Sequence, residues 1–390
     1  MKILQLTSFT GNSGDSFAHA GFQVVFREYF SYHSFVEFTE ANIRSFYKNS
    51  CERYFDADFA AEINQHDAFV IGNGLHFDVR WDYSATGTTL NFSREFIDSI
   101  KIPVIMNGLS YAEPRNCDSG EQQRNFEKFK DFIVYIAKKP NWMLTLRNDG
   151  SYERMCIRFG VRFANHFLVV PDSAFYFDTS KINPLKFETE KRTIGICLAN
   201  DSFSSEPIYE QRKGELNRGV ADFIKHLLAE DCRIILFAHM PRDLDAIHGL
   251  YLCLGESPFR HNVIIAPYNN LEKLSASTLA SYYKACHCVL ATRFHAAIIP
   301  IICKVPVIGL AAESLIVPER IVALYKNLGL SEFCLQMPME VTNIAEQLYL
   351  QYEYTMDNAG RYLEMTDKVM KAMKASRIVY FAKIKELIDP

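Results

Sequence analysis

Arg293 and His295 flank Phe294 in the stretch Ala291-Thr292-Arg293-Phe294-His295-Ala296-Ala297. The apolar segment Cys288–Ala291 before them reads as a buried strand, and a compact apolar helix reads from Ala296 to Cys303. A cation and a titratable imidazole therefore fall where a parallel strand ends and a helix begins. Open α/β sheets bind ligands at that edge, and helix N-termini there favour anions. An anionic substrate handled by a proton-transfer group is the chemistry these residues suggest. A histidine near apolar residues is often a satisfied structural one, but the company of Arg293 at a strand end favours function for His295.

Other polar residues recur at the ends of apolar runs. Gly11-Asn12-Ser13-Gly14-Asp15 follows the first run. Such a turn lets backbone N–H groups approach a ligand, with Asp15 as helix N-cap; it is equally a plain capped turn. The dinucleotide fingerprint GxGxxG is absent from it. Gly72-Asn73-Gly74 follows Ala68–Ile71 and carries the same two readings, ligand approach or structural turn. Arg147 follows Trp142–Leu146, either as a two-pronged anion clamp or as the partner of a nearby aspartate in a loop. Ser151 suits the cap of a helix starting there. Asp172, within Val170-Pro171-Asp172-Ser173-Ala174-Phe175, either orients a cation or a substrate hydroxyl, or makes an Asx turn. His239 follows Arg233–Ala238, with Arg242 and Asp243 beyond it, as a cleft-lining cluster or a surface loop. Arg320 is a second cation for the same anion, or is neutralised by Glu319 on a helix surface.

The elements that position these residues alternate along the chain. Short apolar runs at Ile3–Leu6, Ala68–Ile71, Pro103–Met106, Trp142–Leu146 and Phe167–Val170 read as strands. Helical stretches such as Asn42–Tyr54 and Glu121–Ala137 separate them. This rhythm implies a mainly parallel sheet with helices on both faces. Polar and charged residues over Thr179–Arg192 interrupt it and read as an interdomain linker. A second series follows at Thr193–Leu198, Arg233–Ala238, Asn262–Ile265, Cys288–Ala291 and Pro306–Leu310, with helices at Asn217–Ala229, Leu274–Cys286 and Pro318–Leu328. From Val341 onward the chain reads as helical, with one or two long helices over Asp357–Leu387. The expected organisation is an α/β chain of two Rossmann-like doubly wound domains facing a cleft, residues 1–185 and 190–350, with a helical C-terminal tail over 351–390. By analogy such a tail packs back across the first domain.

Composition narrows the function classes. A chain of 390 residues splits more readily into two domains than into one. Its net charge of −4 and scattered basic residues argue against a nucleic-acid footprint, so anion binding must come from a few placed side chains. No segment approaches the roughly 20 apolar residues of a membrane span. The N-terminus turns polar too soon for a signal peptide and reads as a first strand. The dispersed cysteines, including Cys197, Cys232, Cys253 and Cys303, look like small buried hydrophobes of a reducing cytoplasm rather than a disulfide framework or a zinc site. The sequons Asn91-Phe92-Ser93 and Asn200-Asp201-Ser202 are chance matches in that setting.

Taken in order, Asn12-Ser13-Gly14-Asp15, Gly72-Asn73-Gly74, Arg147 with Ser151, Val170–Phe175, His239 with Asp243, and Arg293-Phe294-His295-Ala296 resemble the polysaccharide pyruvyl transferase family. The resemblance spans Asn12 to about Leu330. Three departures stand out: Asn148 follows Arg147 where members often have aspartate, Asn73 interrupts a glycine triplet, and Arg320 stands later than the usual basic residue. The resemblance implies a GT-B-like fold and transfer of pyruvate from phosphoenolpyruvate to a sugar of a cell-surface or extracellular polysaccharide. The product is a ketal bridging two hydroxyls, with release of phosphate. It implies His295 as general acid and base, and Arg147, Arg293 and Arg320 as anion-binding groups. Asn12, Asp15, Gly72, Asn73, Gly74, Ser151, Asp172 and His239 would line the substrate sites. The scheme requires no metal and no cofactor beyond the donor. Family acceptors are often lipid-linked, so a cytoplasmic enzyme loosely held at the inner membrane face is expected. Two alternatives stay open: a GT-B glycosyltransferase using a nucleotide sugar, and a non-catalytic member acting in binding or assembly. Glu313 and Glu319 stand closer together than the glutamate pair of many retaining glycosyltransferases, which weighs against the first. The presence of Arg147, Arg293 and His295 weighs against the second.

Overall fold

The computed structural model describes residues 1–48, 50, 52–113, 120–199, 207–268, 275–312, 319–338 and 341–389. Glu313 and the sequon at 200–202 lie outside the described residues, as do Leu274 and Pro318, the expected first residues of two helices.

The apolar runs become parallel strands. In the first half these are β1 (Lys2–Thr7), β2 (Glu37–Asn42), β3 (Ala68–Gly72), β4 (Phe77–Asp78), β5 (Val104–Leu109), β6 (Tyr111–Ala112), β7 (Trp142–Arg147) and β8 (Leu168–Val170). Six of them form one sheet in the order β2-β1-β3-β5-β7-β8, while β4 and β6 pair with each other. A second six-stranded sheet comes from β9 (Thr193–Cys197), β10 (Arg233–Leu236), β11 (Val263–Ile265), β12 (Cys288–Ala291), β13 (Val307–Ala312) and β14 (Cys334–Met337), in the order β11-β10-β9-β12-β13-β14. The pairings of both sheets are parallel, as in Ile71 opposite Met106 and Leu290 opposite Ile196. Helices cover both faces of such sheets, so inner strands such as β3 and β12 are buried along their whole length. They read as unbroken apolar runs rather than as an alternation for that reason. The architecture is GT-B-like: two doubly wound α/β sheets and a long C-terminal helix, Ala359–Ile388.

Strand order also marks where ligands belong. In the second sheet the chain steps outward from β9 to β11, then returns to place β12 on the other side of β9. In the first sheet the reversal lies between β1 and β3. Crevices open at the strand C-termini at such switch points. Arg293 and His295 directly follow β12, Asn12 follows β1, and Gly72 ends β3.

One expectation needs correction. Among the described residues of 42–54 no α-helix forms. Glu37–Asn42 is the edge strand β2, and Ile43–Phe46 is a single 3₁₀ turn capped by Asn42, whose side chain accepts from the Arg44 N–H. β2 is only partly buried and carries Glu37, Thr39 and Glu40, so no apolar run signals it. Residues 179–192 are irregular but tied down. Thr179 Oγ1 donates to the Ile302 carbonyl at 2.7 Å, the Leu185 N–H to the Ser281 carbonyl at 2.9 Å, and the Arg233 guanidinium lies 3.9 Å from the Phe187 ring centre.

The chain divides into two compact units, neither continuous in sequence. Unit 1 comprises Met1–Phe9, Ala18–Tyr176 and Met373–Pro390; unit 2 comprises Thr10–Phe17 and Phe177–Ala372. The core of unit 1 is rich in phenylalanine, including Phe59, Phe69, Phe77, Phe129 and Phe163. The C-terminal segment joins it: Phe381 lies 5.6 Å from Phe22 and 5.2 Å from Tyr29 between ring centres, and the Tyr380 hydroxyl donates to Asn107 Oδ1 at 2.8 Å. The core of unit 2 is aliphatic, with Ile194, Ile196, Val220, Ile224, Leu236 and Leu290. Cys197, Cys232, Cys286, Cys288 and Cys303 are buried free thiols. Among the described residues, no helix is long and apolar enough to cross a membrane.

Candidate functional site

In unit 2 the end of β12 is pinned before Arg293 begins. The Thr292 N–H donates to the Cys197 carbonyl at 3.0 Å, and Thr292 Oγ1 accepts from the Ala199 N–H at 2.8 Å. Arg293 is then the extended N-cap of the helix Phe294–Ile302, which is buried all round, and its side chain makes no capping bond. The guanidinium instead grips Asp243: Nε lies 2.8 and 2.9 Å from the two carboxylate oxygens, and Nη2 also donates to Oδ1. Asp243 is fully buried and also accepts the His239 and Met240 N–H groups at 2.8 and 3.1 Å. A buried carboxylate so bound fixes the direction of Arg293.

His295 stands in the first turn of that helix, 7 % exposed, with Nδ1 3.5 Å from Asp15 Oδ1. Asn12 holds the other Asp15 oxygen, Nδ2 to Oδ2 at 2.8 Å, and the Gly14 N–H donates to Asn12 Oδ1 at 3.1 Å. The cap of the helix Ser13–Tyr29 is therefore Asn12, not Asp15 as expected; Asp15 is inside the first turn and turned toward His295. The Ser13 N–H donates to the His239 carbonyl at 2.8 Å, which ties this segment to the loop after β10. Gly14 is glycine for a measurable reason: a Cβ there would lie 2.6 Å from His295 Cβ and 2.8 Å from its Nδ1. Gly14→Ala must push the imidazole aside. The clash should displace the His295 ring in Gly14→Ala, measured as changed histidine ring chemical shifts with the fold checked by circular dichroism.

Arg320 packs against the residue between Arg293 and His295. Its guanidinium carbon lies 5.2 Å from the Phe294 ring centre, and that ring stands edge-on to His295 at 5.5 Å. Glu319, beside it in sequence, is exposed. His239 is 1 % exposed, with Nε2 2.7 Å from the Tyr283 hydroxyl. Burial, reinforced by the nearby His295 and Arg293, lowers its pKa from 6.5 to about 3, so it is a neutral imidazole. Unit 2 thus gathers Asn12, Asp15, His239, Arg293, His295 and Arg320. Tyr283 was missed in the sequence because an aromatic at helical spacing looks like core.

Unit 1 gathers the rest. Arg147 is 2 % exposed, with Nε 2.9 Å from Asp149 Oδ2 and Nη1 3.2 Å from Asp172 Oδ2. The ion-pair reading left open by the sequence describes this geometry. Asp172 also accepts Asn73 Nδ2 at 3.2 Å and the Ala174 N–H at 2.9 Å, so it makes the Asx turn as well. Ser151 does not cap its helix. The cap position is Gly150, in the left-handed region and without a side-chain cap; Asp149 before it accepts the Ser151 N–H at 3.1 Å, while Ser151 Oγ accepts the Tyr111 N–H at 2.8 Å. The glycines of the Gly72-Asn73-Gly74 turn make room for the protein's own side chains. A Cβ at Gly74 would meet His76 Nε2 at 2.7 Å, and one at Gly72 would meet Gln5 Nε2 at 3.3 Å. His76, held neutral by burial and by Arg147, has its pKa lowered to about 4. Among the described residues no three His, Cys, Asp or Glu side chains gather as a metal site.

A family model described as polysaccharide pyruvyl transferase matches residues 12–314. Among solved structures, the chain is similar to UDP-GlcNAc 2-epimerase from Neisseria meningitidis bound to UDP-GlcNAc, with TM-score 0.55 and 11 % identity over 99 % of this chain and 100 % of that one. It is also similar to a putative UDP-N-acetylglucosamine 2-epimerase from Listeria monocytogenes, with TM-score 0.53 and 11 % identity over 98 % and 95 %. An apo structure of OtsA gives TM-score 0.53 and 11 % identity over 99 % of both chains. At such identities these likenesses establish the fold alone. No curated protein matches the sequence.

Proposed function

This chain belongs to the polysaccharide pyruvyl transferase family, and we propose that it moves pyruvate from phosphoenolpyruvate onto a sugar as a ketal. The observation that carries the reading is the Arg293-Phe294-His295 element at a switch point, with Asp15 on His295 Nδ1 and Asp243 on Arg293. Phosphoenolpyruvate carries a carboxylate and a phosphate. Arg293, fixed by Asp243, and Arg320, laid over Phe294, supply cations for them.

In the reaction, a proton is delivered to the methylene carbon and the first sugar hydroxyl adds to the adjacent carbon. The first hydroxyl loses its proton to the departing phosphate, which leaves with its C–O electron pair; a second hydroxyl of the same sugar then adds and gives its proton back to His295. His295 delivers the first proton and collects a later one, as an imidazole can. Asp15, 3.5 Å from Nδ1, orients the ring. Arg147, enclosed by Asp149 and Asp172, sets the loops at the edge of the first sheet rather than meeting the donor directly. The acceptor is a glycan of a surface or extracellular polysaccharide or its precursor, in solution or lipid-linked.

The direct test is phosphate release from phosphoenolpyruvate with a panel of galactosides, glucosides, mannosides and N-acetylhexosaminides. A simpler measurement separates the rivals. Phosphoenolpyruvate at about 100 times its Kd should stabilise the protein by roughly 2.7 kcal/mol in a thermal-shift assay. Uridine or guanosine diphosphate should not. Stabilisation by a nucleotide alone would assign the chain to nucleotide-sugar glycosyl transfer.

A further inference from the structure

The loop after β10 buries an imidazole whose second nitrogen is unused. His239 Nδ1 has no hydrogen-bond partner among the described residues, although the residue is 1 % exposed and lies within electrostatic reach of His295 and Arg293. A buried polar atom left without a partner is costly, and an explanation is owed for each one. Everything else about His239 is fixed. Its N–H donates to Asp243, its carbonyl accepts from Ser13, and Nε2 meets Tyr283. Tyr283 is fixed in turn, with its ring stacked on Phe237 at 4.0 Å between centres.

The pairing with Tyr283 decides which nitrogen carries the proton. Burial raises the phenol pKa well above its usual value, so Tyr283 keeps its O–H. Its one hydrogen-bond partner among the described residues is His239 Nε2. If Nε2–H donated to the phenol, the buried phenol proton would be orphaned and the Nδ1 lone pair with it. If the phenol donates to Nε2, only a single N–H at Nδ1 is unmatched. The second arrangement wastes less hydrogen bonding. A neutral N–H in the loop whose backbone holds Asp243 and Ser13 matches an anionic oxygen and repels no cation.

We propose that Tyr283 locks His239 in its Nδ1–H tautomer, making Nδ1–H a neutral donor to an anionic oxygen of the donor substrate. Tyr283 is a positioning residue, acting through His239. The inference rests on the reading of phosphoenolpyruvate as donor, and its test separates the two.

Nitrogen-15 NMR of the full-length protein, with His239 assigned by comparison with a His239 variant, reads the tautomer without substrate. It should show Nδ1 protonated in wild type and the preference lost in Tyr283→Phe, which keeps the ring and removes the O–H. Calorimetry with phosphoenolpyruvate and with inorganic phosphate reads the donor. Losing a hydrogen bond to a charged oxygen should weaken binding roughly ten- to hundredfold in Tyr283→Phe and in His239→Gln. His239→Asn places an amide N–H near the Nδ1 position and should recover most of the affinity. In kinetics, KM for phosphoenolpyruvate should rise more than kcat falls. Nε2 protonated in wild type, unchanged affinity in Tyr283→Phe, or equal losses in His239→Gln and His239→Asn would each overturn the proposal. If wild type binds phosphate but not phosphoenolpyruvate, the tautomer result stands and the donor reading falls.

Discussion

Turnover of His295→Gln should be lower than wild type by roughly 10²–10⁴-fold, the range for a general acid–base group. Glutamine is close in size and polar, so the fully buried helix Phe294–Ile302 that carries position 295 keeps its packing. On the proposed reading, what disappears is the group that gives a proton to the methylene carbon and takes one from a hydroxyl. The loss should fall mainly on kcat, because Arg293 and Arg320 remain to bind the anionic donor. Phosphate release with an accepted glycan measures it, and the melting temperature should stay near wild type. Turnover close to wild type would remove His295 from the mechanism.

Arg147→Met should lower stability by about 3–5 kcal/mol, the cost of removing one partner from a buried ion pair. The side chain is 2 % exposed, and Asp149 and Asp172 are fully buried. Without the guanidinium, two carboxylates stay in the interior with reduced compensation. In a unit of this size each kcal/mol lowers the melting temperature by roughly 2–4 °C, so calorimetry reads the loss directly. Adding Asp172→Asn should recover part of it, because one uncompensated charge is removed. A melting temperature unchanged in Arg147→Met would mean that this network does not hold the loops of the first sheet. Arg147→Lys keeps the charge but not the fork, and should lie between wild type and Arg147→Met.

The candidate site of the second sheet was the most legible part of the chain. Cys288–Ala291 is apolar because β12 is covered on both faces, and the change to Arg293 and His295 marks the strand end. Less could be read where a partner comes from far along the chain. Asp149 is close to Arg147 in sequence, but Asp172 is not, so local reading could not decide between an anion clamp and an internal ion pair. Asp15 looked like a cap because aspartates often cap helices, whereas Asn12 caps and Asp15 turns to a histidine on another helix. The strand β2 was invisible because an edge strand with one face near solvent tolerates Glu37 and Glu40. Tyr283 shows the opposite failure: its ring behaves as core, and only its hydroxyl, 2.7 Å from His239, betrays a polar task.

The discontinuous make-up of the two units restricts how such a protein can be inherited. A single crossover at Tyr176 would give a downstream piece with Arg293, His239 and His295 but without Asn12 and Asp15, which belong to the same unit. The upstream piece would keep Asn107 and lose Tyr380, its hydroxyl donor in the same unit. Neither half is a cassette that recombination could transplant with its polar partners intact. A chimera that keeps these partners together therefore needs several junctions rather than one.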